Sequence, residues 1–323
     1  MKKTIKLSII AIGILTLIGC SAPEVIVDQN GGKISSVQTN YSESLEEANT
    51  MISVFYGEPI HVFIPAITDK TNSGGKLPRD ISTIVRSSFN SVGEKVITMM
   101  NYNPKKLPKG ATFKILGAIT EFDLIEVEAS GGDAAGQGTI NGQQGTADAS
   151  LDKASKISKL GITFNPANSK TGNFIPKTST KNKITITQKS ASNEFAVSIL
   201  GTGVGVNHAV TKSQGIHSSI TILIELSVVE VLGRLTRYPY WLLTGGKVNS
   251  DILNELSRKF VRGTLNQKIQ KVSYLLSLNG ANVQTTSMMN PTLKSAIIKY
   301  KQAHGMGADD SIDNKLYLSL LGS

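Results

Sequence analysis

Alternating apolar and polar positions, followed by one long apolar run, mark the middle of the chain. Apolar residues recur at every second position in short runs between residues 184 and 210, and a glycine-rich corner at Gly201–Gly205 separates the last two runs. A period of two places side chains on one face of an extended strand, and glycine adopts the positive φ that a tight corner needs. The apolar run that follows lacks proline until Pro239, and it predicts a long helix over Ser218–Leu235.

The first half of the chain carries the signals of an α/β domain. A short apolar run predicts a strand from Ile60 to Lys70, and after a polar loop Asp80 stands at the position of a helix cap. The apolar positions that follow predict a helix from Ile81 to Met99. Two further runs predict strands over Ala111–Asp123 and Gly161–Ala167. Strands interspersed with helices in this order predict an α/β fold.

Two segments interrupt this pattern, at residues 124–160 and 183–218. The first has almost no large apolar side chain, which fits either a disordered insert or a β-hairpin that leaves the globular body. Two such excursions at comparable places suggest that each contributes two strands to a β-barrel shared among subunits. On that hypothesis Phe195, Val197 and Ile199 are the candidate lipid-facing positions, although the first excursion offers few apolar residues for such a face.

The predicted long helix carries polar residues on two opposite stripes, with apolar residues on both flanks. Such a helix either packs on two neighbouring subunits or is buried within one. Glu230 and Arg234 are four residues apart, so we expect them to pair. The two stripes comprise Ser218, Thr221 and Glu225 on one side and Ser227, Glu230, Arg234 and Arg237 on the other.

The first twenty residues have the form of an export signal. Three lysines accompany an apolar stretch from Leu7 to Ile18, which is too short to cross a bilayer comfortably. The sequence Leu17-Ile18-Gly19-Cys20 resembles a bacterial lipobox, which implies cleavage before Cys20 and acylation of that cysteine, with palmitate as an expected acyl group. Ser21, in place of aspartate, implies the outer membrane as the destination. The alternative is an ordinary signal peptide with a chance cysteine.

The net charge is strongly positive. The whole chain carries a formal charge of +10, and removal of residues 1–19 with their three lysines lowers it to +7. A basic chain can bind nucleic acid, but no basic run is interleaved with aromatic residues, and export argues against that partner. Anionic lipid headgroups or a cell-wall polymer are the expected partners, and a solvated lysine surface is the alternative.

No constellation in the sequence predicts catalysis. The four histidines lie in separate predicted elements, and the single cysteine has no partner for a zinc site. The run from Gly201 to Val206 lacks the third glycine of a dinucleotide fingerprint. Gly74-Gly75-Lys76 lacks the first glycine and the hydroxyl residue of a phosphate loop. We therefore expect a protein that is not an enzyme and that needs no cofactor or metal ion.

Helical patterns return at the C-terminal end. Residues 247–264 predict a linker helix, and residues 265–323 predict a small all-α module of three helices. Pro291 suits the first turn of the middle helix, Pro291–His304, and Asp313 suits the cap of the last helix. The module resembles peptidoglycan-binding-like domains, with "LLSLNG" at Leu275–Gly280 ending its first helix. The resemblance implies attachment to the cell wall, and a structural helical cap is the alternative.

The order of the elements resembles the CsgG family, the outer-membrane lipoproteins that form curli secretion channels. The lipobox, the strand from Ile60 with its loop and helix, the strand Phe113–Ile119 and the turn at Ser169–Phe174 carry the resemblance, together with the helix that ends in Tyr238-Pro239-Tyr240-Trp241. On this resemblance residues 1–19 are the signal peptide, 20–46 the lipidated tether and 47–246 the CsgG-like α/β domain with its two excursions.

The resemblance implies a ring of identical subunits with a narrow pore lined by the loop at residues 69–80. Asn72, Ser73 and Lys76 are then the candidate pore residues, but the loop lacks the aromatic residue that the family's curli transporters use at the constriction. The expected function is secretion or assembly of a surface structure, at the periplasmic side of the outer membrane. The expected partners are further copies of the chain, membrane lipid, peptidoglycan and a secreted or assembled surface protein. The alternative is a non-conducting periplasmic scaffold or collar of an envelope machine.

Overall fold

A computed structural model describes residues 41–127, 155–189, 195–201, 204–213 and 216–322. These residues confirm the α/β fold, with one mixed sheet and helices packed against it. The described strands are β1 (Ile60–Phe63), β2 (Thr68–Asp69), β3 (Val96–Met99), β4 (Ala111–Val127), β5 (Ser155–Asn168), β6 (Thr180–Lys189), β7 (Phe195–Gly201) and β8 (Val204–Ser213). The described helices are α1 (Ser42–Phe55), α2 (Ser82–Asn90), α3 (Ile216–Thr236), α4 (Trp241–Thr244), α5 (Ser250–Arg262), α6 (Leu265–Leu278), α7 (Pro291–Ala303) and α8 (Asn314–Leu320).

The sheet combines a parallel part with an antiparallel meander. Its strand order is β3-β1-β4-β5-β6-β7-β8, and the short β2 also pairs with β4. β1 runs parallel to β3 and β4, whereas every neighbour from β4 to β8 is antiparallel. The alternation predicted between residues 184 and 210 is thus confirmed as strands β6 to β8, and these strands extend the sheet of the body.

Helix α3 is the centre of the hydrophobic core. It packs on β5 and β6, and α1 and α2 pack against it. Every side chain from Ile222 to Leu232 is buried, because the sheet, α1 and α2 surround this stretch. Of the two expected arrangements, the structure therefore shows burial within one chain. The predicted bounds, Ser218–Leu235, lie within one or two residues of the observed ones.

Helix α1 corrects the predicted tether. The helix begins at Ser42, inside the segment 20–46 that its polar composition had indicated as a linker. Its buried side chains recur every three or four residues, which is the period of a helix that covers a core with one face. The buried positions are Leu45, Ala48, Met51, Ile52 and Phe55.

The predicted helix from Ile81 to Met99 is wrong in its second half. α2 ends at Asn90, and Val96–Met99 instead forms β3, which pairs with β1. Gly93 lies between them with φ of 118°, a backbone conformation that a helix excludes and glycine tolerates. Val92 and Val96 are both buried and four residues apart, so they fit the apolar spacing of a helix although α2 has already ended. Asp80 does accept a hydrogen bond from the backbone N–H of Ser82, at 2.6 Å.

The C-terminal helices confirm their predicted positions and share the core of the body. Pro291 occupies the first turn of α7, and the carboxylate of Asp313 caps α8 by accepting from the N–H of Leu316 at 2.7 Å. The indole N–H of Trp241, which follows α3, donates to the carbonyl of Leu321 at 2.8 Å. The phenol of Tyr274 on α6 donates to the carboxylate of Glu47 on α1 at 2.6 Å. The helical module is thus joined to the sheet domain by buried side chains.

Candidate functional site

The loop between β2 and α2 holds the three candidate pore residues. Asn72 and Lys76 are exposed, and Ser73 is half-buried. Asp69 organises the loop, because its carboxylate accepts hydrogen bonds from the hydroxyls of Thr71 at 2.6 Å and Ser73 at 2.7 Å. Burial acts to raise the pKa of Asp69, but the hydrogen bonds from Thr71 and Ser73 outweigh it and leave that pKa below its usual value. Of the predicted residues, the structure ties Ser73 into this cluster and leaves Asn72 and Lys76 at the surface.

Of the three candidate lipid-facing side chains, the structure describes only that of Ile199. Phe195 and Val197 lie in β7, and their side chains fall outside the described part of the structure, as does the lipidation residue Cys20. Ile199 is 1 % exposed and belongs to the hydrophobic core. Its register partner on β6 is Ile184, which is also buried, on the strand that packs against α3. Ile199 therefore faces protein in this chain and not an open surface.

The ends of β4 and β5 form an antiparallel ribbon that is more exposed than the rest of the sheet. Residues 124–127 pair with residues 155–158, so both predicted arms of the first excursion begin as strand. Leu124 and Ile125 are 37 % and 38 % exposed although successive residues of a strand point to opposite faces. Neither face of the ribbon is fully covered here. Residues 128–154 of the excursion lie outside the described residues.

A groove of about 820 Å³ lies between α6 and α7. Its floor is apolar, at Leu276 and Ala296, and its rim carries the hydroxyl of Ser295, the ammonium of Lys299 and the ring of Tyr300. Amides and hydroxyls beside a cation and an aromatic ring suit a polar ligand that contains sugar rings or carboxylates. The remaining lining residues are Asn279, Gly280, Ala281, Asn282, Pro291 and Thr292.

The loop that leads from α6 to α7 is fastened from inside the module. The buried hydroxyl of Ser273 donates to the carbonyl of Thr286 at 3.0 Å and accepts from the N–H of the same residue at 3.0 Å. Asn290 then caps α7 by accepting from the N–H of Leu293 at 2.8 Å. These bonds hold the loop that connects the two helices lining the groove.

The same module buries a lysine. Lys301 on α7 is 1 % exposed, and its ammonium lies 2.7 Å from the carboxylate of Asp309 and 2.7 Å from the hydroxyl of Ser311. Asp313 accepts from it at 3.5 Å. The hydrogen bonds from Lys301 and Ser311 hold the pKa of Asp309 well below its usual value. The cluster closes the loop between α7 and α8 on the side of α7 away from the groove lining.

A second buried polar cluster joins α3 to the sheet. The carboxylate of Glu230 is 2.8 Å from the guanidinium of Arg234, and it accepts from the side-chain amide of Asn182 on β6 at 2.8 Å. The same amide donates to the hydroxyl of Ser227 at 3.0 Å. The predicted Glu230–Arg234 pair is therefore confirmed, but it lies in the core instead of on an exposed stripe.

The described ranges contain neither a candidate metal site nor a candidate membrane-spanning helix. Among residues 41–127, 155–189, 195–201, 204–213 and 216–322, no group of three histidine, cysteine or acidic side chains is placed to hold a metal ion. Within the same ranges, no helix combines the length and the apolar character needed to cross a membrane.

Comparisons with protein-family models and with curated proteins find no match for this chain. The arguments for function therefore rest on the residues and geometry above. Sequence reasoning missed the groove as a shape, because its two walls are separated by the loop at residues 279–290 and only packing brings them together. It also missed the burial of Lys301, although the acidic residues of the loop at 305–313 offered a signal for its partners.

Proposed function

We propose that this chain is an outer-membrane lipoprotein that acts as a scaffold, anchored to lipid through Cys20 and to the cell wall through the groove between α6 and α7. The observation that carries the proposal is the groove with its polar rim, held on a module that shares a core with the body. A tension-bearing link between membrane and wall requires such a rigid junction, and here Trp241 and Tyr274 connect the two parts by one buried and one partly buried hydrogen bond.

The chemistry of the groove favours peptidoglycan as the ligand. The polymer offers sugar rings with hydroxyl and amide groups, and its peptide stems carry carboxylates. Tyr300 supplies an aromatic ring, Ser295 a hydroxyl, and Lys299 an exposed ammonium for a carboxylate. The net charge of +7 after export also favours association with an anionic cell wall.

Co-sedimentation with purified peptidoglycan sacculi tests this function. We expect the chain from Ser21 onward to sediment with sacculi, and Lys299→Gln to weaken binding by about an order of magnitude, since a charge-assisted hydrogen bond contributes roughly 1.5 kcal/mol. Lys294→Gln is the matched control, because Lys294 lies on the same helix outside the groove and has only an exposed partner, Asp310, at 3.1 Å. Equal loss in both variants, or no sedimentation of the parent chain, would overturn the proposal.

A second candidate function is a ring that secretes or assembles a surface structure, as the resemblance to the CsgG family implies. The β4–β5 ribbon favours it, because residues 124–127 of β4 pair only with β5 among the described strands, and an open strand edge suits pairing between subunits. The burial of Ile199 in the hydrophobic core favours the scaffold instead, because it removes one of the three candidate lipid-facing side chains. Electron microscopy of the detergent-extracted lipoprotein distinguishes the two. A ring with a micelle-embedded barrel supports the channel, and a particle without one supports the scaffold.

A further inference from the structure

Two lysine-rich loops meet beside the first strands of the sheet. The β3–β4 loop, residues 100–110, carries Lys105, Lys106 and Lys109, and all three are exposed. The β5–β6 loop carries Lys170, also exposed. The sequence contains no aspartate or glutamate from Lys95 to Thr120 or from Ser155 to Lys189. Neither segment therefore contains an acidic residue to balance these four lysines, whereas Lys177 in the β5–β6 loop pairs with Asp251 at 2.7 Å.

Specific contacts hold the two loops together. The hydroxyl of Tyr102 donates to the carbonyl of Ser169 at 2.5 Å, and the N–H of Ser169 donates to the carbonyl of Thr112 at 3.1 Å. The ring of Tyr102 stacks on Phe63 with 5.2 Å between centroids, and Lys114 lies 5.4 Å from the Tyr102 ring centre. The loops thus form one surface, which we call the basic platform: residues 100–110 and 169–177.

The basic platform also exposes two large apolar side chains. Met100 is 93 % exposed and Phe174 is 63 % exposed. Phe174 bridges to Ala167, which pairs with Lys114, and Lys114 in turn pairs with Phe63. Phe63 pairs with Met99, next to Met100. One row across the sheet therefore ends at Phe174 on one side and at Met99, the neighbour of Met100, on the other.

We propose that the basic platform binds the surface of an anionic lipid bilayer. Lysines attract acidic headgroups, and an exposed aromatic and an exposed methionine among them can enter the boundary between headgroups and acyl chains. A soluble polyanion would use the lysines but gain nothing from Met100 and Phe174, so the combination favours a membrane. This proposal does not depend on the groove or on the scaffold function, and it gives the body of the protein a contact of its own with the lipid.

The test is sedimentation of the chain from Ser21 onward with vesicles, so that no acyl group contributes. We compare phosphatidylcholine vesicles with vesicles in which about a third of the lipid is phosphatidylglycerol. We expect at least tenfold stronger partitioning onto the acidic vesicles, with loss at high salt. The triple change Lys105→Gln, Lys106→Gln and Lys109→Gln should weaken partitioning by on the order of a hundredfold, at about fivefold for each lysine near the surface.

A matched control and an apolar variant make the result specific. Lys259→Gln, Lys294→Gln and Lys315→Gln together remove the same charge from exposed sites of the C-terminal helices, and they should change partitioning by less than about threefold. Phe174→Ser with Met100→Ser should reduce partitioning about tenfold while leaving elution from a heparin column unchanged. Equal losses in both triple variants would show a mere effect of net charge. Full retention in the Phe174 and Met100 variant would show a polyanion surface. Either result overturns the proposal.

Discussion

Glu230 on α3 and Lys301 on α7 both bury their charge almost completely, but their partners differ. The Glu230 side chain is 0 % exposed and its partner Arg234 only 13 %. The Lys301 side chain is 2 % exposed, whereas Asp309 and Asp313 are 56 % and 50 % exposed. Both members of the Glu230–Arg234 pair are thus largely shielded from water. In the Lys301 cluster, water can solvate the carboxylates of Asp309 and Asp313. The lesson is that a buried charge is most costly to disturb when the group left behind is also buried.

The largest expected effect comes from Arg234→Met. The substitution removes the guanidinium that neutralises the buried Glu230 carboxylate, so we expect a loss of about 3–5 kcal/mol in the free energy of unfolding. Urea denaturation at pH 7 measures this loss. Arg237→Met is the control, because Arg237 is 30 % exposed and its ion pair with the similarly exposed Glu255 is longer, at 3.6 Å. Comparable losses in the two variants would contradict the argument from burial.

A second test concerns Glu225, which lies five residues before Glu230 on the other polar stripe of α3. Glu225 is 7 % exposed, and one of its carboxylate oxygens has no hydrogen-bond partner. Burial raises the pKa of Glu225 to about 7, although a hydrogen bond from Ser42 partly opposes the shift. Because this folded-state pKa lies above the ordinary value of 4.5, the folded protein binds more protons than the unfolded chain between these values. The stability that protonated Glu225 contributes is thus present below about pH 4.5 and is lost as the pH rises through 7.

Glu225→Gln should therefore stabilise the protein at pH 8 by up to about 3 kcal/mol and have little effect at pH 4.5. Gln keeps the size of the side chain and can still contact Ser42. Unfolding by urea at both pH values measures the difference. Glu43→Gln on α1, an exposed position, is the control and should show no such pH dependence. If the parent protein and the Gln variant change in parallel with pH, Glu225 is not the responsible group.

These buried charges also show what the sequence could and could not predict. The four-residue spacing of Glu230 and Arg234 predicted their pairing, because a helix brings such positions together. Their burial depends on Asn182, which is distant in sequence and becomes a neighbour only through packing. Helical periodicity also predicted the positions of the C-terminal helices, because it depends only on residues close in sequence. Their docking rests on distant pairs such as Tyr274 with Glu47.

The candidate site was predictable to the same limited degree. The polar composition around Ser42 indicated a tether, yet the apolar spacing from Leu45 to Phe55 already contained the period of α1. The groove needed the register of α6 against α7, for which no local pattern exists. Both ends of the first excursion are strands in the β4–β5 ribbon. The number of apolar residues in the excursion could not by itself distinguish a β-hairpin from a disordered insert. Local periodicity predicted elements, and long-range packing decided which surfaces remained open.

The smallest expected effect comes from Lys301→Met. Methionine fills most of the space of the lysine stem, and the groups left behind, Asp309 and Asp313, are solvated. We therefore expect a loss of only about 1 kcal/mol in the free energy of unfolding, from the broken hydrogen bond to Ser311 and a looser α7–α8 loop. Urea denaturation under the conditions used for Arg234→Met measures it.

A loss as large as that of Arg234→Met would contradict the distinction between the two buried charges. It would mean that the fold of the α7–α8 loop depends on Lys301 as a whole and that solvation of the acidic partners does not compensate. Lys315→Met is the matched control, because Lys315 on the neighbouring helix α8 is exposed. We expect the loss for Lys301→Met to lie between those of Lys315→Met and Arg234→Met. Water stabilises the carboxylates that lose their lysine, so the loss is smaller than for a fully buried pair.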